Sequence, residues 1–583
     1  MLLKTLNSIV SINKAFTKKF HDEVKRNLDD YEVVNSGGKK VGKKNGVYNR
    51  HVASSRYDMT IPYIFGTHES MVSSFFENMP DLVINGRTSE TDKVEILKAA
   101  YEYLKDKADL DEFLTVSAWW FFLVGFVKAD IEFKEEIGSY EPQLDVNGEP
   151  MYDEEGNPVE IPVYSFKDPI ASVKNPLKIY FSPDSEFSIN GENIPNYIEE
   201  RLVDVDEIQE TYGIEAQADT TLDVDGVDSK DESYLKRAKV FYFYGRVPSY
   251  VKDDLEAKGI EWSYKQNYKI YFTKEDLLLV EPINEKPCKL SRFYANQNKF
   301  FGFGIGKTLR PFQEDMSVRR SQQIAYADRF AFPWLAVPND TKVDQKAMHD
   351  YQKRVPITYS GDKAPEYITP PQMPSVITEA DNSSRSDAQF VSGTLDISKG
   401  AQQTNTVKTA TGQQLFAQSQ DKRLNKARKS IAKYYRETVI QMFKLARDNW
   451  GDEAKQITYT SDDGVEKDIT ITADLLQGID FDKDIDFNLD NVSVNQDVMS
   501  QRWISLIDTS LQVPSADVDK IYKKVLRDSY KIQNPEFYMK EGQIDPMTGM
   551  PMQPPIEGQP PVQNPETVPA PQPLGNTLAP QPY

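Results

Sequence analysis

From residue 412 to residue 450 the chain carries no proline, and no glycine after Gly412 itself. Within that run Phe416, Leu424, Ala427, Ile431, Tyr435, Val439, Met442 and Ala446 recur three, four or eight positions apart. This is the period of one apolar helix face. Close to forty residues at 1.5 Å each predict a helix about 55–60 Å long. Its other face holds Lys422, Arg423, Lys426, Arg428, Lys429, Lys433 and Arg436. The preceding residues, 394–411, are polar and nearly free of large side chains, which predicts a flexible loop.

The same patterning predicts helices over 7–30, 70–78, 91–107 and 110–123, the last of them buried. Strands are predicted at 82–85, 127–133, 177–181, 197–203, 239–244 and 267–273, with a short helix at 205–212 stopped by Gly213. Asn147-Gly148 and Gly156-Asn157 are hairpin signals in an acidic insertion. Gly302, Gly304 and Gly306 lead into a helix over 307–330, which accepts Pro311 in its first turn. Residues 333–374 are short extended pieces bracketed by prolines, a small separate module, and a helix over 375–391 follows. Residues 457–460 and 469–472 flank the turn signal Asp463-Gly464, and Ile485, Phe487 and Leu489 alternate as a strand. Helices at 495–511 and 516–530 precede a Pro- and Gln-rich tail from Pro546, expected to be disordered. The basic segment 36–46 and the acidic segment 219–232 are expected to be solvated loops. The class is α+β.

A chain of 583 residues holds several domains, and 11% aromatic content suits folded ones. The formal net charge of -21 weighs against a protein that coats nucleic acid, since phosphate attraction needs clustered Lys and Arg. It leaves room for one that surrounds nucleic acid without gripping it. The basic helix therefore needs an acidic partner, either nucleic acid or the surface of a neighbouring subunit. Cys288 is the single cysteine, so no intrachain disulfide or Cys-rich zinc site forms, and four scattered His residues make a His-based metal centre improbable. A reducing, intracellular assembly site is expected. Asn7, Ser8, Ser11 and Asn13 interrupt any secretory apolar core. The most apolar run, 113–127, is shorter than the ~20 residues a membrane span needs, so no membrane association is expected.

One segment tempts a catalytic reading. Gly302 to Thr308 (GFGIGKT) resembles a phosphate-cradling loop, with Lys307 and Thr308 in the places of the lysine and hydroxyl. The pattern needs four residues between its glycines, yet three separate Gly302 from Gly306, and Phe301 stands where the first glycine belongs. A backbone bend before a helix, with glycines permitting close packing, is the favoured reading; a nucleotide hydrolase is the alternative. Asp480, Asp482 and Asp484 start like a calcium loop, but Ile485 replaces the glycine and no glutamate follows at the twelfth position. Trp119, Trp120, Phe121 and Phe122 suit a core better than a cofactor pocket. No catalytic residues, metal ligands or cofactor site emerge, and no enzyme is expected.

The order of the pieces resembles a portal protein of tailed bacteriophages. Residues 177–213 carry a strand, a Ser182-Pro183-Asp184 turn, a second strand and a short helix ending in Tyr212-Gly213. Residues 300–320 (FFGFGIGKTLRPFQEDMSVRR) resemble the glycine-rich approach to that family's first stem helix. A proline-bracketed module between two helices resembles the clip, and a polar loop before a long helix that opens with TATG resembles the tunnel loop and wing helix. Residues 485–511, with Arg502-Trp503, resemble the strand and helix near the family's C-terminus. No long C-terminal coiled coil is legible, so the crown would be short.

The resemblance implies an α/β wing at 1–302, a first stem helix at 303–332, a small α/β clip at 333–374 and a second stem helix at 375–393. It implies a tunnel loop at 394–411, the long wing helix and hairpin at 412–495, crown-like helices at 496–545 and a tail at 546–583. It further implies a dodecameric ring at one capsid vertex of the virion, assembled in the host cytoplasm. Double-stranded DNA would pass through it, and the terminase, head-to-tail adaptor proteins and the major capsid or scaffolding protein would bind it. Lys399, Gln402, Gln403, Thr404, Asn405 and Lys408 would meet DNA in the tunnel, while Lys307, Arg310, Arg319 and Arg320 would line the stem. Asp340, Lys342, Lys353 and Arg354 would serve the clip's partners.

Overall fold

The computed structural model describes residues 1–32, 60–77, 82–84, 91–142, 150–152, 158–218, 236–295, 299–331, 334–336, 338–339, 342–343, 359–364, 366–368, 375–393, 410–451, 455–460, 466–477 and 479–487. All of them belong to one unit, Met1–Val494. The expected loops at 36–46 and 219–232, both Asn/Gly turn signals, the helices at 495–511 and 516–530 and the tail lie outside the described residues.

Helix α1 (Leu2–Tyr31) starts ahead of its predicted limit, and α2 (Tyr63–Glu77) begins at Tyr63 rather than residue 70. Strand β1 (Leu82–Ile84) and helices α3 (Thr91–Lys107) and α4 (Leu110–Leu123) match the periodicity closely. Asp109 caps α4, its carboxylate accepting the Glu112 amide at 3.2 Å. Next come β2 (Phe126–Pro142), β3 (Glu160–Val173), β4 (Ile179–Phe181), β5 (Asn196–Asp204) and α5 (Val205–Tyr212). They are followed by β6 (Arg237–Gly245), α6 (Lys252–Glu256), β7 (Asn267–Phe272), β8 (Leu277–Ile283) and β9 (Cys288–Arg292). These strands form two antiparallel sheets, β3-β2-β9 and β4-β5-β6-β7-β8. Strand β2 runs well past the predicted 127–133, because register shifts between Glu136 and Ser139 let the pairing with β3 continue to Pro142.

A charged layer separates the two sheets. Lys128 and Asp130 are two apart on β2, so they share a face, and both are fully buried. The Lys128 ammonium lies 2.5 Å from each Asp130 oxygen, and the Tyr197 hydroxyl donates to Asp130 at 3.1 Å. Arg201 donates to Glu199 at 2.7 and 3.1 Å, and the Tyr244 hydroxyl donates to Glu132 at 2.7 Å. Buried charge survives only where it is paired in this way. Burial pushes the Asp130 carboxyl up to about 6 against the pull of Lys128. Burial also acts on Glu199, but the Arg201 hydrogen bonds with Lys128 and Lys174 hold it down to about 2.

The remainder comprises α7 (Ile305–Ala331), β10 (Trp334–Ala336), β11 (Lys342–Val343), β12 (Tyr359–Ser360), β13 (Glu366–Ile368) and α8 (Ser375–Ser392). Then follow α9 (Ala410–Asn449), β14 (Lys455–Thr460), β15 (Glu466–Ile471), α10 (Ala473–Gln477), α11 (Phe481–Asp484) and β16 (Ile485–Phe487). Strands β14 and β15 form the predicted hairpin, and β16 pairs antiparallel with β1, tying distant parts of the chain together. Helix α9 is 40 residues long. Ala427, Ile431, Tyr435, Val439, Met442 and Ala446 are buried as the period required, and Tyr434, Phe443 and Trp450 widen the buried face.

The basic face of α9 is narrower than expected. Arg428 is 2% exposed and donates to the Ser74 carbonyl at 3.1 Å. Arg436 donates to the carbonyls of Ile485 at 2.8 Å and Asp482 at 2.5 Å. For these two cations the partner is the chain itself, because α9 meets Ser74 of α2 and the β16 region as well as the β3-β2-β9 sheet. Lys426, Lys429 and Lys433 remain exposed; the side chains of Lys422 and Arg423 are outside the described set.

Candidate functional site

The approach to α7 is built on contact between backbones. A Cβ on Gly304 would stand 2.3 Å from the Leu123 carbonyl oxygen, and one on Gly302 would stand 2.5 Å from the Gly125 oxygen. Gly125 itself has φ +84 and faces the Phe303 carbonyl carbon, 2.0 Å from where its Cβ would be. Only glycine allows this approach. The glycines thus permit close packing of 302–304 on the end of α4, and Gly306 does the same against Asn27. Lys307 is exposed, 6.0 Å from the Phe303 ring centroid, and the Thr308 hydroxyl donates to the Ile305 carbonyl at 3.1 Å. Both line a cleft of about 870 Å³, walled by Phe16, Phe20, Phe300 and Phe301 with Lys19 and Lys299 also in its lining.

Arg310, one turn into α7, is held by α1. Its guanidinium donates to Glu23 at 2.9 Å, to Asn27 at 2.7 Å, and to Asp30. Burial raises the Asp30 carboxyl despite that guanidinium. Sequence reasoning placed Arg310 on a channel wall and missed the tether. The signal was present as a polar row, Glu23, Asn27 and Asp30, spaced four and three apart on an otherwise amphipathic helix.

Helices α7 and α8 form an antiparallel pair. The start of α7 (Ile305, Leu309, Met316) and the end of α8 (Ala388) are both in the core. Their other ends leave it, with Phe330 and Val376 exposed. The pair is pinned midway by Asp315, which accepts from Arg319 at 2.8 Å and from the Ser384 hydroxyl. Burial pushes the Asp315 carboxyl up, but these two hydrogen bonds outweigh it and hold it below the usual range. Arg320 is exposed and donates to Gln323 at 3.2 Å. At the outer end, β10 pairs with β13 and β11 with β12, both antiparallel, and Lys342 is exposed on β11. Asp340, Lys353 and Arg354 lie outside the described residues.

Helix α8 ends at Gly393, which has φ +73 and bonds its amide to the Gln389 carbonyl at 2.9 Å. Residues 394–409 then connect it to the start of α9. Lys399, Gln402, Gln403, Thr404, Asn405 and Lys408 all fall in this connection, outside the described residues. The structure therefore brings Arg310, Arg319 and Lys307 onto one helix, with the first two engaged by carboxylates of the same chain. Among the described residues no three His, Cys, Asp or Glu side chains gather as a metal site, and no helix is long and apolar enough to cross a membrane. No family model matches the chain, and no curated protein matches it in sequence.

Proposed function

We propose that the chain is a portal protein, one subunit of a dodecameric ring at a single capsid vertex through which double-stranded DNA is packaged and later ejected. One observation carries this: two antiparallel helices leave the core with a small β-module at their far end, and a polar connection returns the chain into a 40-residue helix. In this proposal α7 and α8 are the stem, 333–374 is the clip that meets the terminase and then a head-to-tail adaptor, and 394–409 narrows the channel around DNA. The major capsid or scaffolding protein meets the outside of the ring.

The charge distribution supports a conduit rather than an enzyme. A net charge of -21 per copy, repeated around a ring, repels a duplex at short range. Arg310 and Arg319 are neutralised within the subunit, which leaves Lys307 and Arg320 as the exposed cations among the described side chains of α7. Few phosphate contacts mean a shallow energy profile along the duplex, and each tight contact added would raise the barrier to sliding. Negative-stain microscopy of the purified protein tests the proposal: rings with a central hole are expected. A monomer that binds ATP tightly, and loses it in Lys307→Ala, would overturn the conduit in favour of a nucleotide hydrolase.

A further inference from the structure

The hairpin of β2 and β3 outruns every described element that packs on it. Its base is covered, where Trp450 at the end of α9 donates to Asp168, the partner of Lys134 in the ladder. From Lys134 to Pro142 every β2 residue is exposed. This arm is not polar: Ile137, Tyr140, Ile161 and Val163 stand in solvent, Tyr140 at 60%. A two-stranded ribbon wetted on both faces is marginal alone, and clustered exposed apolar side chains mark a surface that something covers. The arm is also acidic. Glu135 and Glu141 are exposed and ion-pair with no described residue, whereas Lys134 pairs with Glu136, and Lys167 sits 4.6 Å over the Tyr164 ring.

The complementary surface is on α9. Lys426, Lys429 and Lys433 are three and four apart, so they form one stripe. All three are exposed, and none ion-pairs with a described residue. Their four-carbon stems offer apolar cover alongside the charge.

One copy cannot join these two surfaces. Ser430 meets Ser291, the ladder partner of Val127, and Trp450 meets Asp168, the partner of Lys134. Helix and strand therefore run side by side in the same direction. Residues 430 to 450 cover ~30 Å of helix, and 127 to 134 cover ~24 Å of strand. The arm begins at the C-terminal end of α9 and continues ~27 Å beyond it. The stripe lies ~25 Å or more back along the helix.

We propose that the β2–β3 arm of one copy lies across the Lys426–Lys429–Lys433 stripe of the next copy. Two different patches in contact make a heterologous interface, the kind that generates rings when its rotation closes. The contact thus rests on the portal reading and specifies how neighbouring subunits interlock.

A pair of substitutions, Glu141→Cys with Lys429→Cys, tests it on the full chain with a short bis-maleimide; Cys288 is buried and stays silent. A ladder of covalent multimers is expected from the pair and not from either single variant. In parallel, Glu135→Lys with Glu141→Lys should cut ring yield about tenfold, and Lys429→Glu with Lys433→Glu added in the same chain should restore it. Rings of the double-cysteine chain that give no ladder, with a ring yield that ignores charge reversal, overturn the arm contact and leave the ring standing. A ladder from protein that shows no closed rings by negative stain overturns the ring and keeps the contact. Neither rings nor ladder overturns both.

Discussion

Replacing Lys128 by methionine removes one half of a fully buried pair and leaves the other half in place. Asp130 then has no exposure and faces the Tyr197 hydroxyl at 3.1 Å with no cation within bonding distance, so it must stay charged in the core or take up a proton. Breaking a buried pair from one side costs about 3–5 kcal/mol, because the stranded charge keeps its desolvation penalty. Asp130→Leu alone strands the Lys128 ammonium and belongs in the same range. The double variant strands neither charge. Its cost is the Tyr197 hydroxyl left without an acceptor, about 1–3 kcal/mol. The singles therefore sum to well above the double, by at least about 3 kcal/mol of coupling. Urea unfolding, followed by tryptophan fluorescence and far-UV circular dichroism, gives each difference from its midpoint and slope. Additive costs, agreeing within about 0.5 kcal/mol, would refute the idea that this pair is held by mutual compensation.

The same layer makes stability depend on acid. Glu199 sits at about 2 against an ordinary 4.5, so its contribution is complete above pH 4.5 and disappears as pH falls toward 2. That shift corresponds to about 3 kcal/mol, and Glu199→Gln should flatten the stability curve across this window; parallel curves for the two proteins would rule it out. Gly304→Ala should lower stability by about 2–3 kcal/mol or block folding, since its methyl would overlap the Leu123 carbonyl. A melting temperature within about 1 °C of wild type, roughly 1 kcal/mol for a chain of this size, would show that the backbones there are not in contact. Shortening 394–409 by half should abolish DNA packaging or genome retention in a complementation assay while rings still form. Loss of the rings would make that segment a subunit contact instead.

Periodicity alone determined where most described elements fall. The limits of α3, α4 and α5 were legible to the residue, because local spacing and turn chemistry are properties of a few neighbouring residues. The hairpin around Asp463-Gly464 was legible in place, though its strands start two and three residues ahead of the predicted 457–460 and 469–472. The glycines at 302, 304 and 306 were legible as packing residues, though not what they pack on. Tertiary structure decided everything that depends on which face meets what. Alternation along 127–133 ordinarily leaves the polar side in water, yet Lys128 and Asp130 face a second sheet whose tyrosines and arginine arrive from 67 residues or more downstream. Arg428 and Arg436 lie among α9's basic residues in any helical projection, but α2 and β16 fold over them and supply carbonyls. Arg310 looked free because Glu23, Asn27 and Asp30 stand 280 residues or more away in the chain. A sequence records which side chains can be charged; only the folded chain brings up the distant partner that neutralises one and leaves another, such as Lys429, open.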